Sequence, residues 1–282
     1  MNEQIIIASD STCDLSPELI ARYGIQILPL RVSLSDREYT DGIDIDPDMI
    51  YRHYEQTKVL PKTSAISIGE FSDFFRPFVE AGKAVIMFTI SSSMSSTYQN
   101  GCIAASDFEN VHVIDTKNLS TGGGLLVIRA AELAAAGKSA VEIAEHCRSI
   151  TDRVDASFVI DSLEFLHKGG RCSAVAAFGA NLLSLKPCIV VRDGKMGVAK
   201  KYRGNFRSVV KSYIRDQIGD GSAIEPEHVF VTHAGCEPEL CEEWVALVKE
   251  LGNFKEVHLT RAGCTISSHC GRNTIGVLFI RK

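Results

Sequence analysis

The chain has 282 residues, of which 45% are hydrophobic and 23% are charged, and its formal net charge is -5. These proportions are ordinary for a soluble globular protein, and the negative charge gives no reason to expect nucleic acid or an anionic membrane surface as a partner. No apolar run reaches membrane-spanning length, and the chain enters an apolar segment at Ile5 without the basic region of a signal peptide. We therefore expect a cytoplasmic protein with no integral membrane association.

Strands alternate with helices through the first half of the chain. Ser16 and Pro17 begin a helix, with a hydroxyl as N-cap and proline at the first helical position, and Gly24 ends it. The predicted strands are 5–8, 25–34, 84–90 and 111–114. The further predicted helices are 47–55, 71–81, 125–136 and 140–151, with a loop over 61–68. This order predicts a mostly parallel sheet with helices on both faces.

The pattern changes after about residue 155. Asp193-Gly194, between two apolar segments, predicts a β-hairpin. The predicted strands are 156–160, 188–191, 196–200, 229–232, 257–259 and 275–280. The predicted helices are 174–183 and 239–251. Hairpins combined with crossovers predict a mixed sheet, so we expect two α/β domains, 1–153 and 154–282.

The nine cysteines are scattered and include no Cys-x-x-Cys pair. In a chain without a secretion signal, this spacing favours reduced thiols in a cytosol. The cysteines and histidines also lack the spacing of a zinc site. The nearest cluster, Cys264 with His269 and Cys270, is better explained as buried thiols beside a loop histidine. We therefore expect no metal.

A serine-rich segment follows the strand predicted at 84–90, and five of the six residues from Ser91 to Ser96 are serine. In α/β sheets, ligands bind beyond the carboxyl ends of strands. Exposed N–H groups and hydroxyls at a helix start favour an anion. For any single serine, helix capping is the favoured interpretation. For the whole segment, capping explains only one or two of the serines, and an anion site is the remaining interpretation.

Known catalytic motifs are missing from the sequence. The serine-rich segment has neither the glycines nor the lysine of a phosphate-binding loop, and no Gly-x-Gly-x-x-Gly follows the first strand. No Gly-x-Ser-x-Gly nucleophile elbow occurs. We therefore expect no ATPase, esterase or kinase activity from the chain alone, and no cofactor.

Seven motifs in order along the chain resemble one known family. They are SDSTCDL (9–15), PKTSAIS (61–67), ISSSMSSTYQN (90–100), VIDTKNLSTGGGLLV (113–127), DSLEFLHKGGRCS (161–173), LLSLKPCIVVRDGK (182–195) and ISSHCGRNTIGVLF (266–279). Together they are similar to the DegV family, the fatty-acid-binding subunits of bacterial fatty acid kinase. This resemblance implies two α/β domains with one long-chain fatty acid buried between them.

The resemblance also implies which residues hold the carboxylate. Matched motif by motif, the ligands are Thr63, Ser95 and His269, with Arg171 as a nearby basic residue. Ser64 and Ser92 complete the expected set. A separate ATP-dependent kinase subunit then phosphorylates the bound acid, and this chain is a carrier rather than an enzyme.

A second hypothesis from a different class of protein remains. The chain departs from the family pattern next to His269, where Arg272-Asn273 replaces Pro-Gly. The alternative is an enzyme of the related dihydroxyacetone-kinase type fold that handles a small carbonyl or phosphate ligand. A long apolar tunnel distinguishes the carrier from this enzyme.

Overall fold

The computed structural model describes residues 4–171 and 185–282. Two large β-sheets lie on either side of a shared layer of helices, and three further strands form a small third sheet. The strands are β1 Ile5–Asp10, β2 Gln26–Leu28, β3 Arg31–Leu34, β4 Arg37–Thr40, β5 Lys62–Ser64, β6 Ala84–Thr89, β7 Val111–Asp115, β8 Val154–Ile160, β9 Leu185–Arg192, β10 Lys195–Arg203, β11 Ile224–Ala234, β12 Glu256–Arg261 and β13 Thr274–Arg281. The helices are α1 Pro17–Tyr23, α2 Pro47–Thr57, α3 Ile68–Glu80, α4 Thr97–Ala105, α5 Thr121–Ala135, α6 Ala140–Ile150, α7 Glu164–Lys168, α8 Phe206–Ile218, α9 Pro238–Leu251 and α10 Cys264–Cys270.

The first sheet is parallel throughout and has the strand order β2-β1-β6-β7. Strand β6 is buried along its whole length, as expected for a strand with helices on both faces. Helices α3 and α4 cover one face, and α1, α5 and α6 lie on the other. The predicted parallel sheet is confirmed.

The second sheet is mixed, with the order β10-β9-β8-β13-β11-β12. Only β11 and β12 run parallel among its neighbours in the described residues. The predicted hairpin joins β9 to β10, and Asp193 and Gly194 have φ values of 49° and 76°. Two positive φ values match the twist of adjacent strands in a two-residue hairpin loop. Helices α8 and α9 cover the outer face.

Helix α5 lies between the two sheets and contacts strands of both. Its residues from Thr121 to Ile128 are all buried, as expected for a helix surrounded by protein. The core around it combines Phe88 of the parallel sheet with Phe158 and Leu278 of the mixed sheet. The division into domains 1–153 and 154–282 stays a prediction.

Three predicted segments differ from the structure. The strand predicted over 25–34 is two strands in different sheets, because Pro29 lacks the N–H that would continue the ladder. The loop predicted over 61–68 contains β5, which pairs with β3 in a small antiparallel sheet of order β4-β3-β5. His269, predicted in a loop, lies in α10.

The helix predicted over 174–183 lies outside the described residues. No helix in the described part of the chain has the length and apolar character needed to cross a membrane.

Candidate functional site

A cavity of about 280 Å³ lies between the sheets, where the chain leaves β2, β6 and β7. This is the edge at which open α/β sheets bind ligands. Large apolar side chains form much of its described lining: Leu30, Ile90, Met94, Leu119, Phe158, Leu166, Met196, Ile266 and Leu278. Strands of the mixed sheet and the small strand β5 form part of the wall, and loops that follow strands of the parallel sheet form another part.

Five of the six predicted ligand-binding residues line this cavity: Thr63, Ser64, Ser95, Arg171 and His269. Ser92, the sixth, is exposed and is not among the lining residues. Its backbone N–H donates to the Asp115 carboxylate at 3.1 Å. The structure therefore brings five predicted residues together and places Ser92 in the adjoining turn.

Thr63 and His269 are in direct contact at the cavity wall. Thr63 Oγ1 lies 2.8 Å from His269 Nε2, although the two residues are 206 positions apart in the chain. Burial, together with the positive charge of Arg171, lowers the pKa of His269 to about 4. The imidazole is therefore neutral at neutral pH, with one N–H and one lone pair.

The surroundings of His269 Nδ1 indicate which of the two ring nitrogens carries the proton. Nδ1 is buried without a hydrogen-bond partner in the described residues, and it faces Gly169, where a Cβ atom would lie only 2.9 Å away. Leaving a buried N–H unpaired costs more than leaving an acceptor unpaired. This favours a proton on Nε2, which donates to Thr63 Oγ1 and leaves the Thr63 hydroxyl proton for a ligand.

Ser95 is the residue of the serine-rich segment whose hydroxyl caps α4. Its Oγ accepts from the Thr97 N–H at 3.2 Å and lies 2.8 Å from Thr97 Oγ1. Ser96, at the N-cap position, makes no side-chain capping bond. The Ser95 hydroxyl, like that of Thr63, accepts a hydrogen bond from a donor in a fixed position. Its own proton can therefore be donated to a ligand.

The other serines have different partners. Ser91 is buried, donates to the Gly194 carbonyl at 2.7 Å and accepts from the Ser93 N–H at 3.2 Å. It therefore ties the serine-rich segment to the β9–β10 turn. Arg171 is exposed at the cavity and donates to the Gly169 carbonyl at 2.8 Å.

Two buried carboxylates from the first half of the chain hold α10, and sequence reasoning missed both. Asp41 accepts from the Cys264 N–H at 2.8 Å and from the Thr265 N–H at 3.0 Å. Asp14 accepts from the Gly263 N–H at 2.8 Å, and burial raises its pKa well above the usual value. These bonds satisfy the free N–H groups at the start of the helix that carries His269.

A second polar cluster lies away from the cavity. The ligand atoms of His228, Glu256 and His258 all lie within 4.8 Å of one another. No metal is expected from the sequence, because its cysteines and histidines lack the spacing of a zinc site. Only the pairing of β11 with β12 brings the three residues of this cluster together.

A family model described as "Uncharacterised protein, DegV family" matches residues 4–282. The chain belongs to the DegV family. It is 33% identical over 282 residues to a DegV domain-containing protein of Clostridium acetobutylicum, covering 99% of each chain. The resemblance carried by the seven motifs is thus confirmed.

Solved structures of DegV-family proteins have the same fold. One describes the fatty acid binding of a DegV family protein from Thermus thermophilus, with 29% identity, a TM-score of 0.89, and coverage of 99% of this chain and 100% of that chain. Another is a stearic acid-binding protein from Eubacterium ventriosum, with 29% identity, a TM-score of 0.85, and coverage of 99% and 98%. The predicted fold class is confirmed.

Arg272, at which the chain departs from the usual DegV-family pattern, contacts two side chains of α2. The guanidinium lies over the Tyr51 ring, 4.8 Å from its centroid, and Nε is 3.6 Å from the Glu55 carboxylate. Arg272 therefore packs against α2, whereas Thr63, which contacts His269, lies on β5.

Proposed function

We propose that the chain binds one long-chain fatty acid in the cavity, with the carboxylate at Thr63, Ser95 and His269 and the tail along the apolar wall. The observation that carries this proposal is an apolar cavity with a hydroxyl–imidazole pair in its wall. The fatty-acid-binding relatives in the DegV family support the same ligand class.

The polar wall suits a carboxylate. A buried carboxylate is costly unless it is hydrogen-bonded. Thr63 and Ser95 each have a hydroxyl that already accepts from a fixed donor, so each can donate its proton to the ligand. Arg171 adds a positive charge at the exposed side of the cavity. Each such bond contributes about 1.5–3 kcal/mol when the acceptor is charged.

The tail contributes more to binding than the head group. At about 0.8 kcal/mol per methylene, roughly fifteen methylenes give about 12 kcal/mol before ordering costs. The apolar wall therefore determines affinity, while the hydroxyls determine orientation. The same wall favours the fatty-acid carrier over the alternative enzyme, because a small carbonyl or phosphate ligand would leave these apolar side chains without a partner.

We also propose that a separate ATP-dependent kinase subunit phosphorylates the bound acid. The chain has no phosphate-binding loop and no nucleophile elbow, so the chemistry is assigned to the partner. The exposed Arg171 lies where the carboxylate would meet that partner. We further propose a cytoplasmic location, which the scattered cysteines support.

The proposal is tested by titrating delipidated protein with stearate. We expect one site per chain with micromolar or tighter affinity. Thr63→Val keeps the shape of the side chain but removes the hydroxyl, and should weaken binding roughly tenfold. Thr57→Val is the matched control, because Thr57 bonds the His53 carbonyl on α2, outside the cavity.

Absence of saturable binding by the wild-type protein would reject the fatty-acid function. Wild-type binding with equal affinity in Thr63→Val would retain the ligand but reject this position for its carboxylate.

A further inference from the structure

His228, Glu256 and His258 lie on one face of the mixed sheet, at its β11–β12 edge. His228 is directly opposite Glu256 in the parallel pair. His258 is two residues beyond Glu256 and points to the same side, since side chains alternate along a strand. His228 Nδ1 is 3.0 Å from His258 Nε2, and that nitrogen is 3.7 Å from the Glu256 carboxylate.

Glu132 of α5 determines which ring nitrogen of His228 carries the proton and which keeps a lone pair. Its carboxylate lies 2.9 Å from His228 Nε2, so this nitrogen carries the proton and donates it. The Nδ1 lone pair then points at His258. A carboxylate on the far nitrogen of a histidine is the arrangement that orients metal-binding histidines and raises their basicity.

The 3.0 Å contact between the two rings is then an N–H···N hydrogen bond in which His258 Nε2 donates to His228 Nδ1. A metal ion would take the place of this proton, which would move to Nδ1 of the same ring, so that His258 stays neutral and Nε2 offers a lone pair. Both carboxylate oxygens of Glu256 accept from the Arg22 guanidinium at 2.7 Å. A carboxylate oxygen has two lone pairs, so Glu256 can keep Arg22 and still offer one to a cation.

We propose that His228, His258 and Glu256 bind one divalent transition metal ion of the zinc type. Two imidazoles and one carboxylate are a common zinc ligand set that leaves a fourth position for water. Imidazole nitrogen also suits copper and nickel, whereas magnesium and calcium prefer oxygen ligands. Tetrahedral zinc needs the two nitrogens about 3.3 Å apart, so the rings must separate by only a few tenths of an ångström.

The ion would link the edge of the mixed sheet to the central helix layer. His228 lies on β11 and is hydrogen-bonded to α5, while Arg22 of α1 is bonded to Glu256. Metal binding is therefore expected to raise the thermal stability of the full chain.

The test is calorimetric titration of chelator-treated full-length protein with zinc chloride. We expect one ion per chain, binding in the micromolar range or tighter. His258→Gln should weaken this binding at least tenfold, since it removes a direct ligand. His53→Gln is the control, because His53 is partly exposed on α2 beside Ser35 and lies outside the cluster.

Glu256→Gln keeps the proposal testable if His258→Gln fails to fold. Its side chain lies on the edge strand, and the amide is a poor ligand, so we again expect at least a tenfold loss. A cobalt(II) titration identifies the donor atoms, because cobalt bound to nitrogen and oxygen lacks the thiolate charge-transfer absorption. Zinc binding only in the millimolar range, unchanged binding in both variants, or a cobalt–thiolate band would overturn the proposal.

Discussion

His269 and His258 are both partly buried imidazoles whose pKa is lowered mainly by burial, and they have opposite surroundings. His269 contacts the Thr63 hydroxyl and lies near the Arg171 charge. His258 contacts His228, which is bonded to the Glu132 carboxylate. As proposed, the first site offers hydroxyl protons to an anion and the second offers lone pairs to a cation, so the same side chain serves ligands of opposite charge.

The largest expected effect comes from removing the Asp41 carboxylate that holds α10. It should distinguish the two sites, because α10 carries His269 but none of the proposed metal ligands. Asp41→Ala removes the acceptor for the Cys264 N–H and for both the N–H and hydroxyl of Thr265. Because hydrogen bonds to a charged group are strong, we expect the free energy of unfolding to fall by about 3 kcal/mol or more. Stearate affinity should fall with it, while zinc affinity should stay unchanged.

Urea unfolding measures the first effect, and Asp36→Ala is a matched control in the exposed turn before β4. A loss below about 1 kcal/mol in Asp41→Ala would show that α10 does not depend on this carboxylate.

The next effect concerns pH. His269 has a pKa of about 4 when folded against 6.5 ordinarily, so the unfolded chain binds more protons between these values. Wild-type stability should therefore fall relative to His269→Gln as the pH drops from about 7 to 4, by roughly 3 kcal/mol. Asp10, whose pKa burial raises to about 6, has the opposite dependence but is present in both proteins and cancels.

Unfolding curves of both proteins at several pH values check this expectation. A stability difference that does not change between pH 7 and 4 would mean that His269 titrates normally in the folded protein.

The smallest effect lies within the serine-rich segment. Ser95→Ala removes a donor from the cavity and should weaken stearate binding by about 1–2 kcal/mol. Ser93 is exposed, and within the described residues it is bonded through its backbone N–H, to Ser91, so Ser93→Ala should change affinity by less than about 0.5 kcal/mol. Damage from Ser93→Ala, with Ser95→Ala silent, would show that the ligand uses a different serine.

Local signals made much of the fold predictable. Ser16 and Gly24 mark the ends of α1, and both act as the predicted caps. Asp193-Gly194 forms the predicted hairpin turn because its residues adopt the required positive φ values. Such features depend on neighbours in the sequence, and they are therefore visible without the structure.

The parts that escaped prediction depend on distant partners. Strand β5 has only three residues and pairs with β3, so no periodicity marks it. Asp41 meets Thr265 across 224 positions, and nothing in the adjoining sequence indicates that partner. The motif register placed Thr63, Ser95 and His269 in one expected set, whereas the contact of Thr63 with His269 becomes visible only when β5 and α10 pack together.

Native mass spectrometry of the full chain, purified without detergent, tests whether a fatty acid occupies the cavity. We predict a single adduct per chain with the mass of one long-chain fatty acid, removed by solvent extraction and restored by stearate. A chain that shows only its own mass after incubation with stearate would contradict the proposed function.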